Sequence, residues 1–218
     1  MKLKICGMKY PENIKSVAAL QSDYLGFIFY EKSKRNFKGE IPEISNKIKK
    51  TGVFVNASID YILKKIKEYH LKAVQLHGDE SVDFCQNLWN TINNSAKAKK
   101  ERKVELFKVF SVGETFDFGL VKAYENVCDY FLFDTKGKER GGNGVVFNWE
   151  LLKDYPSTKP YFLSGGIGLE SVLDLKAFIN SKASKYCYAI DVNSKFEIEP
   201  GLKDIKKLIK FKQNFEID

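Results

Sequence analysis

Residues 52–80 read GVFVNASIDYILKKIKEYHLKAVQLHGDE, and this stretch decides the fold. Gly52–Asn56 is an apolar, β-rich run that closes on a polar residue. From Ser58 to Tyr69 the apolar residues switch to a helical period, with Ile59, Ile62, Leu63 and Ile66 on one face. Ala73–Leu76 is again a short apolar run, followed by His77-Gly-Asp-Glu80. A strand, an amphipathic helix and a second strand in succession predict parallel strands joined by a helical crossover.

The same alternation continues outward in both directions. Upstream, Leu3–Cys6 reads as a strand, Pro11–Leu20 as a helix, Tyr24–Tyr30 as a strand and Ile41–Lys50 as a helix. Downstream come a helix at Ser81–Trp89, a strand at Val104–Phe110 and a helix at Phe118–Glu125. Asp129–Phe133 is a strand and Phe147–Lys153 a short helix. Tyr161–Leu163 is a strand, Leu169–Asn180 a helix, Tyr186–Ile190 a strand and Leu202–Phe211 a helix. Eight strand–helix units in 218 residues are about 27 residues each, near the lower limit of the eightfold barrel. The expected architecture is α/β: one (β/α)8, or TIM, barrel spanning residues 1–218. A doubly wound open sheet with fewer strands is the alternative. The charged stretch Asn93–Lys103 follows a helix and precedes a strand, so it reads as a solvated insertion on the face away from the site.

Composition agrees with a globular chain: 44% hydrophobic and 29% charged residues allow one sizeable core. Met-Lys-Leu-Lys at the start breaks its apolar run at once, unlike a signal peptide. No stretch approaches the ~18 apolar residues of a membrane span. Cys6, Cys85, Cys128 and Cys187 are scattered without a Cys-x-x-Cys pair. Reduced thiols in the cytoplasm are expected, rather than a disulfide framework or a zinc site. The net charge of +8 comes from lysines dispersed along helices such as Tyr61–Tyr69 and Gly201–Phe211. They are not interleaved with aromatics, so a solvated surface is expected rather than nucleic-acid binding. A basic field also attracts a small anionic substrate.

Barrel active sites lie at the C-terminal ends of the strands, and polar residues gather there. The first strand ends in Cys6-Gly7, Arg35 follows the second, and the third ends in Asn56. Gln75 and His77 are two apart on the fourth strand, so they share a side. The sixth strand ends in Asp134, the seventh in Ser164-Gly165-Gly166 and the eighth in Asp191. Singly, each has an ordinary reading: a buried small cysteine, a turn histidine, a capping aspartate, a solvated arginine in Lys32–Asn36. Their coincidence at one end of apolar strands is hard to ascribe to packing. Two glycine-rich stretches, Gly141–Gly144 and Ser164–Gly168, follow the sixth and seventh strands. Such loops let backbone amides surround an anion, and a helix N-terminus beyond them adds to the field. They predict a phosphate site, with flexible turns as the alternative.

These motifs resemble the phosphoribosylanthranilate isomerase family. Leu3-Lys-Ile-Cys-Gly-Met8 is similar to its opening strand, and Gly26-Phe-Ile-Phe with Ser33-Lys-Arg35 to its second strand and arginine loop. Gly52–Asn56 is similar to the third strand and Val74–Glu80 to the fourth. Phe133-Asp-Thr135, Gly141–Gly144, Leu163–Ile167 and Asp191–Ser194 complete the order. The chain departs from the usual pattern at Asn143, Ser164 and Lys195.

The resemblance implies a tryptophan-biosynthesis enzyme. Its reaction is an Amadori rearrangement, converting N-(5-phosphoribosyl)anthranilate into the 1-deoxyribulose ketose. By resemblance Asp134 is the general acid and Cys6 the general base, and Arg35 holds the anthranilate carboxylate. Gln75, His77 and Asp191 position substrate. Gly142, Asn143, Gly144, Gly165, Gly166, Asn193 and Ser194 bind phosphate. Neither metal nor cofactor is needed, and a monomer or homodimer without nucleic-acid or membrane partner is implied. Two alternatives are a phosphate-sugar-binding barrel without catalysis and the related histidine-pathway aminoaldose isomerase. That second family carries an aspartate where Cys6 stands and an internal repeat that this chain lacks.

Overall fold

The parallel strands implied by the alternation close on themselves. The computed structural model describes residues 1–93, 104–136 and 146–215. Eight strands form one closed parallel barrel in chain order: β1 (Lys2–Ile5), β2 (Tyr24–Ile28), β3 (Lys49–Phe54), β4 (Ala73–Leu76), β5 (Glu105–Val112), β6 (Tyr130–Thr135), β7 (Tyr161–Leu163) and β8 (Cys187–Val192). Pairing of β1 with β8 seals the ring, with Lys4 opposite Asp191. Closure excludes the open doubly wound sheet. Around the barrel lie α1 (Pro11–Ala18), α2 (Ile59–Tyr69), α3 (Val82–Asn93), α4 (Gly119–Lys122), α5 (Val172–Ile179) and α6 (Ile205–Phe215).

Local chemistry explains the best-defined helix. Ser58 caps α2 by accepting from the Tyr61 N–H at 3.3 Å, and His70 ends it in the left-handed region with φ 52°. Several expected helices differ. Ile41–Lys50 is no helix: Ser45 turns the chain, its Oγ accepting from Lys47 N and its carbonyl from Ile48 N. Such local bonds compete with helix formation. Ile41 and Ile44 nonetheless pack on the core, so the apolar spacing anchors a loop. Lys49 and Lys50 already belong to β3. Among the described residues of the sixth unit, Trp149–Asp154 forms a 3₁₀ helix. The last predicted helix begins late, because Leu202–Lys203 (β10) pairs antiparallel with Glu197–Glu199 (β9) before α6 starts.

Strand alternation divides the core in two. Outward residues such as Leu3, Ile5, Leu25 and Val74 pack beneath the helices. Inward residues at the N-terminal end, including Tyr24, Phe107, Leu132 and Phe162, fill the barrel. The Phe107 and Phe162 ring centroids are 4.6 Å apart. Below them Lys49 pairs with Glu105, and both bond the Tyr24 hydroxyl. The barrel is thus plugged at one end and can admit a ligand only at the other. Among the described residues, no helix is long and apolar enough to cross a membrane. Residues 94–103, which hold nearly all of the expected solvated insertion, lie outside the described residues.

Candidate active site

Cys6 reaches the C-terminal mouth because it immediately follows β1 and faces inward, two residues beyond Lys4. Gly26 on β2 makes room for it. A Cβ at Gly26 would lie 2.7 Å from the Cys6 sulfur. Gly7 then turns the chain with φ 78°, beside Asn193 and Arg35. The mouth opens as a cleft of about 790 Å³ that includes space open to solvent. Cys6, Arg35, Gln75, His77, Asp134, Ser164, Gly165, Gly166, Asp191, Asn193 and Ser194 all line it. Every predicted site residue that is described therefore meets in one place. Ile28, Tyr30, Val53 and Val55 supply an apolar wall that the polar pattern did not single out. Asn56 does not join the cleft. Its Oδ1 accepts from Asp79 N at 2.7 Å, and its own N–H donates to Glu80 Oε1 at 2.8 Å.

Two polar chains run through the cleft. In the first, Gln75 Nε2 and His77 Nδ1 are 3.1 Å apart, and His77 Nε2 lies 3.4 Å from Asp134 Oδ2. With the Gln75 amide donating, the imidazole proton sits on Nε2 and faces Asp134. In the second, Lys4 Nζ donates to Asp191 Oδ1 at 2.9 Å, and Ser164 Oγ to Asp191 Oδ2 at 3.4 Å. Both Asp191 oxygens are thus engaged inside the protein. Burial pushes the Cys6 thiol up. The Lys4 charge opposes that shift without cancelling it. Burial pulls Lys4 down, but Asp191 and Cys6 outweigh it and hold the ammonium above its ordinary range.

Arg35 differs from the simple expectation of a guanidinium fork awaiting a ligand. Its Nε–H donates to both Glu197 oxygens (2.9 and 3.0 Å), and Nη2 to Oε2 at 2.7 Å. One edge of the fork is already used. Lys203 Nζ donates to Glu197 Oε1 at 2.7 Å and to the Asn193 side chain at 2.8 Å. The β9–β10 hairpin thereby fixes both Arg35 and Asn193. Burial alone would raise the Glu197 carboxyl, but Arg35 and Lys203 hold it below its ordinary value. Lys203 is not one of the solvated helix lysines expected over Gly201–Phe211. It is buried, as are Lys4 and Lys108. A lysine stem flanked by apolar residues carries no sequence mark of whether its end finds a buried carboxylate.

Of the expected phosphate loops, Gly142, Asn143 and Gly144 lie outside the described residues. Gly165 and Gly166 have φ of 92° and 66°, a region that strains other residues. The helix expected from Leu169 opens instead as a 3₁₀ turn, and α5 starts at Val172. A Cβ on Gly165 would meet the Thr135 amide nitrogen at 2.4 Å. A side chain there strikes β6 before it fills any anion space. Gly165→Val is therefore expected to cost stability, roughly 1–3 kcal/mol from the backbone alone, as well as ligand affinity. An unchanged melting temperature would contradict this placement of the loop. Among the described residues, no group of three or more His, Cys, Asp or Glu could hold a metal ion.

The profile of the family described as N-(5′-phosphoribosyl)anthranilate (PRA) isomerase matches residues 3–214. The chain belongs to this family. The N-(5′-phosphoribosyl)anthranilate isomerase of Parabacteroides distasonis is 41% identical over 98% of this chain and 92% of its own length. The crystal structure of phosphoribosyl anthranilate isomerase from Thermotoga maritima superposes with a TM-score of 0.75 at 29% identity, covering 99% of this chain and 98% of that one. A phosphoribosyl anthranilate isomerase in complex with reduced 1-(o-carboxyphenylamino)-1-deoxyribulose 5-phosphate superposes at 0.70 with 27% identity and the same coverage. The eightfold barrel expected from the alternation is thus the architecture of the phosphoribosylanthranilate isomerases as well as of this chain.

Proposed function

We propose that this chain isomerises N-(5′-phosphoribosyl)anthranilate in tryptophan biosynthesis, with Asp134 as general acid and Cys6 as general base. The observation that carries the assignment is their placement. They stand on β6 and just beyond β1, three strands apart by the shorter way round the ring, and both line one cleft. A substrate between them has an acid on one side and a base on the other. One barrel spanning residues 1–218 suffices for this chemistry, as a monomer or homodimer in the cytoplasm.

Asp134 protonates the furanose ring oxygen, and the C1–O bond breaks to leave a protonated Schiff base. Cys6 takes the C2 proton. The C–H electron pair moves toward C1 and the iminium nitrogen, which acts as the electron sink. Reprotonation at C1, with loss of the proton on the C2 hydroxyl, turns the resulting enaminol into the aminoketose. Once Asp134 has released its proton, the His77 Nε2–H stabilises the carboxylate left behind. Gln75 fixes the ring that carries it. The second edge of Arg35 faces the substrate carboxylate, and Ile28, Val53 and Val55 accommodate the aromatic ring. Gly165, Gly166, Asn193 and Ser194, with Gly142–Gly144, take the phosphate. Asp191 acts from beneath, through Lys4.

The direct test is the loss of anthranilate fluorescence from freshly prepared substrate. Decay in step with enzyme concentration is expected, and decay no faster than in buffer would overturn the assignment. Arg35→Lys keeps the charge and loses the planar fork. It is expected to raise KM about tenfold or more, equivalent to ~1.4 kcal/mol. An unchanged KM would mean that Arg35 serves only to tie down the hairpin.

A further inference from the structure

Lys4 is fully buried, yet it belongs to none of the groups that would touch the substrate. Its ammonium is clamped from the neighbouring strand by Asp191, its register partner on β8, and Ser164 on the loop after β7 steadies the far oxygen. As a stability device this pair is poor, because desolvating two ions offsets most of their attraction and an apolar pair of similar volume does as well. What distinguishes the position is its neighbour. Cys6 lies two residues on, on the same inward face of the chain. Both side chains are buried on that face, Lys4 wholly and Cys6 nearly so, and the ammonium charge acts on the sulfur. The charged groups acting on Cys6 are Lys4, Asp191 on β8 and Lys203 on β10, while Gly26 on β2 presents no side chain. Asp134 and His77 act on Asp191 from β6 and the end of β4.

We propose that Lys4 is a positioning residue for Cys6: its buried ammonium, locked by Asp191, is the fixed counter-charge that offsets part of the burial penalty on the thiolate that takes the C2 proton. The proposal rests on Cys6 being the base. In the step itself the S–H bond forms as C2–H breaks, and Lys4 keeps its proton throughout. Burial drives the sulfur toward the neutral thiol. Lys4 opposes that directly, and Asp191 acts against Lys4 on the sulfur while holding the ammonium charged.

The test needs no substrate. The rate of alkylation of Cys6 by iodoacetamide is followed against pH, with the modified peptide quantified by mass so that Cys85, Cys128 and Cys187 do not contribute. Lys4→Met is expected to raise the midpoint by about one pH unit or more, a roughly tenfold loss of thiolate at a given pH. The double variant Lys4→Met/Asp191→Asn removes the pair without stranding a charge, and its midpoint is expected to rise as well. Lys4→Arg keeps a cation opposite Asp191, so its midpoint is expected to rise less than that of Lys4→Met. A midpoint unmoved in Lys4→Met and in the double variant overturns the proposal. So does a Lys4→Arg midpoint that rises as far as that of Lys4→Met, since loss of packing alone behaves that way. An active Cys6→Ser enzyme would overturn the assignment of the base while leaving the measured Lys4–Cys6 coupling in place. A dead Cys6→Ser enzyme with unmoved midpoints would overturn the role of Lys4 alone.

Discussion

Cys6→Ser is expected to lower kcat/KM by about 10²–10⁴, the usual contribution of a positioned general base. The serine oxygen occupies nearly the same place, and the gap left by Gly26 accepts it without strain. What it lacks is acidity. A thiol, even one pushed up by burial, gives up its proton far more readily than a hydroxyl does, and the Lys4 charge limits the rise. Asp134→Asn is expected to be comparably damaging. The amide keeps the shape, and a group facing His77 Nε2 remains in place, but it cannot deliver a proton to the ring oxygen. Both variants are expected to melt near the wild-type temperature and to bind a reduced product analogue with similar affinity, since each nearly preserves volume. Retention by Cys6→Ser of more than about a tenth of the wild-type kcat/KM, far above that expected loss, would make Cys6 a core residue and the mechanism wrong.

The largest effect on stability is expected at a residue outside the reacting set. Glu197→Gln leaves two partly or wholly buried cations, Arg35 and Lys203, without their shared carboxylate. Breaking a buried pair from one side typically costs about 3–5 kcal/mol. Because the hairpin also aims Arg35, KM is expected to rise in the same variant. The pH dependence has a definite sign. The Glu197 carboxyl lies below its ordinary value of 4.5 in the fold. Its contribution is therefore present in full above about pH 4.5 and is lost as pH falls through the folded value. Urea titrations of both proteins at pH 7 and below pH 4.5 should show a gap that narrows on acidification. A gap below about 1 kcal/mol at pH 7, the scale of an exposed pair, would mean that solvent or neighbouring groups replace the carboxylate.

The gathering of these polar residues in one cleft was legible in the sequence because barrels place strand-end residues together whatever the strands' separation along the chain. Cys6, His77, Asp134, Ser164 and Asp191 each end an apolar run and Gln75 shares a side with His77, so the parallel topology alone brings them to one mouth. Arg35 was legible as a loop cation but not as half of an ion pair. Its partner lies 162 residues away, and no local pattern links the two. Gly26 carried a faint signal, since a glycine inside a strand often marks close approach of another group. That the group is the Cys6 sulfur followed only from strand register.

The periodicity of residues 52–80, repeated along the chain, determined by itself that this is a parallel α/β sheet with polar groups at the C-terminal ends of its strands, while the pairing of β1 with β8 decided that the sheet closes into a barrel. Hydrophobic period is a local property, and eight repeats of it leave few ways to bury every apolar face. It did not determine which connections become helices. At Ile41–Lys50 the same apolar spacing anchors a loop, because Ser45 bonds to its own backbone neighbours. Nor did it determine which of 36 basic side chains are structural. Lys4, Lys108 and Lys203 are written like any surface lysine. Each is buried only because closing the barrel or folding the hairpin brings Asp191, Glu80 or Glu197 within 3 Å of it. Electrostatic partners are chosen by distance in space, and that distance exists only once the ring has closed.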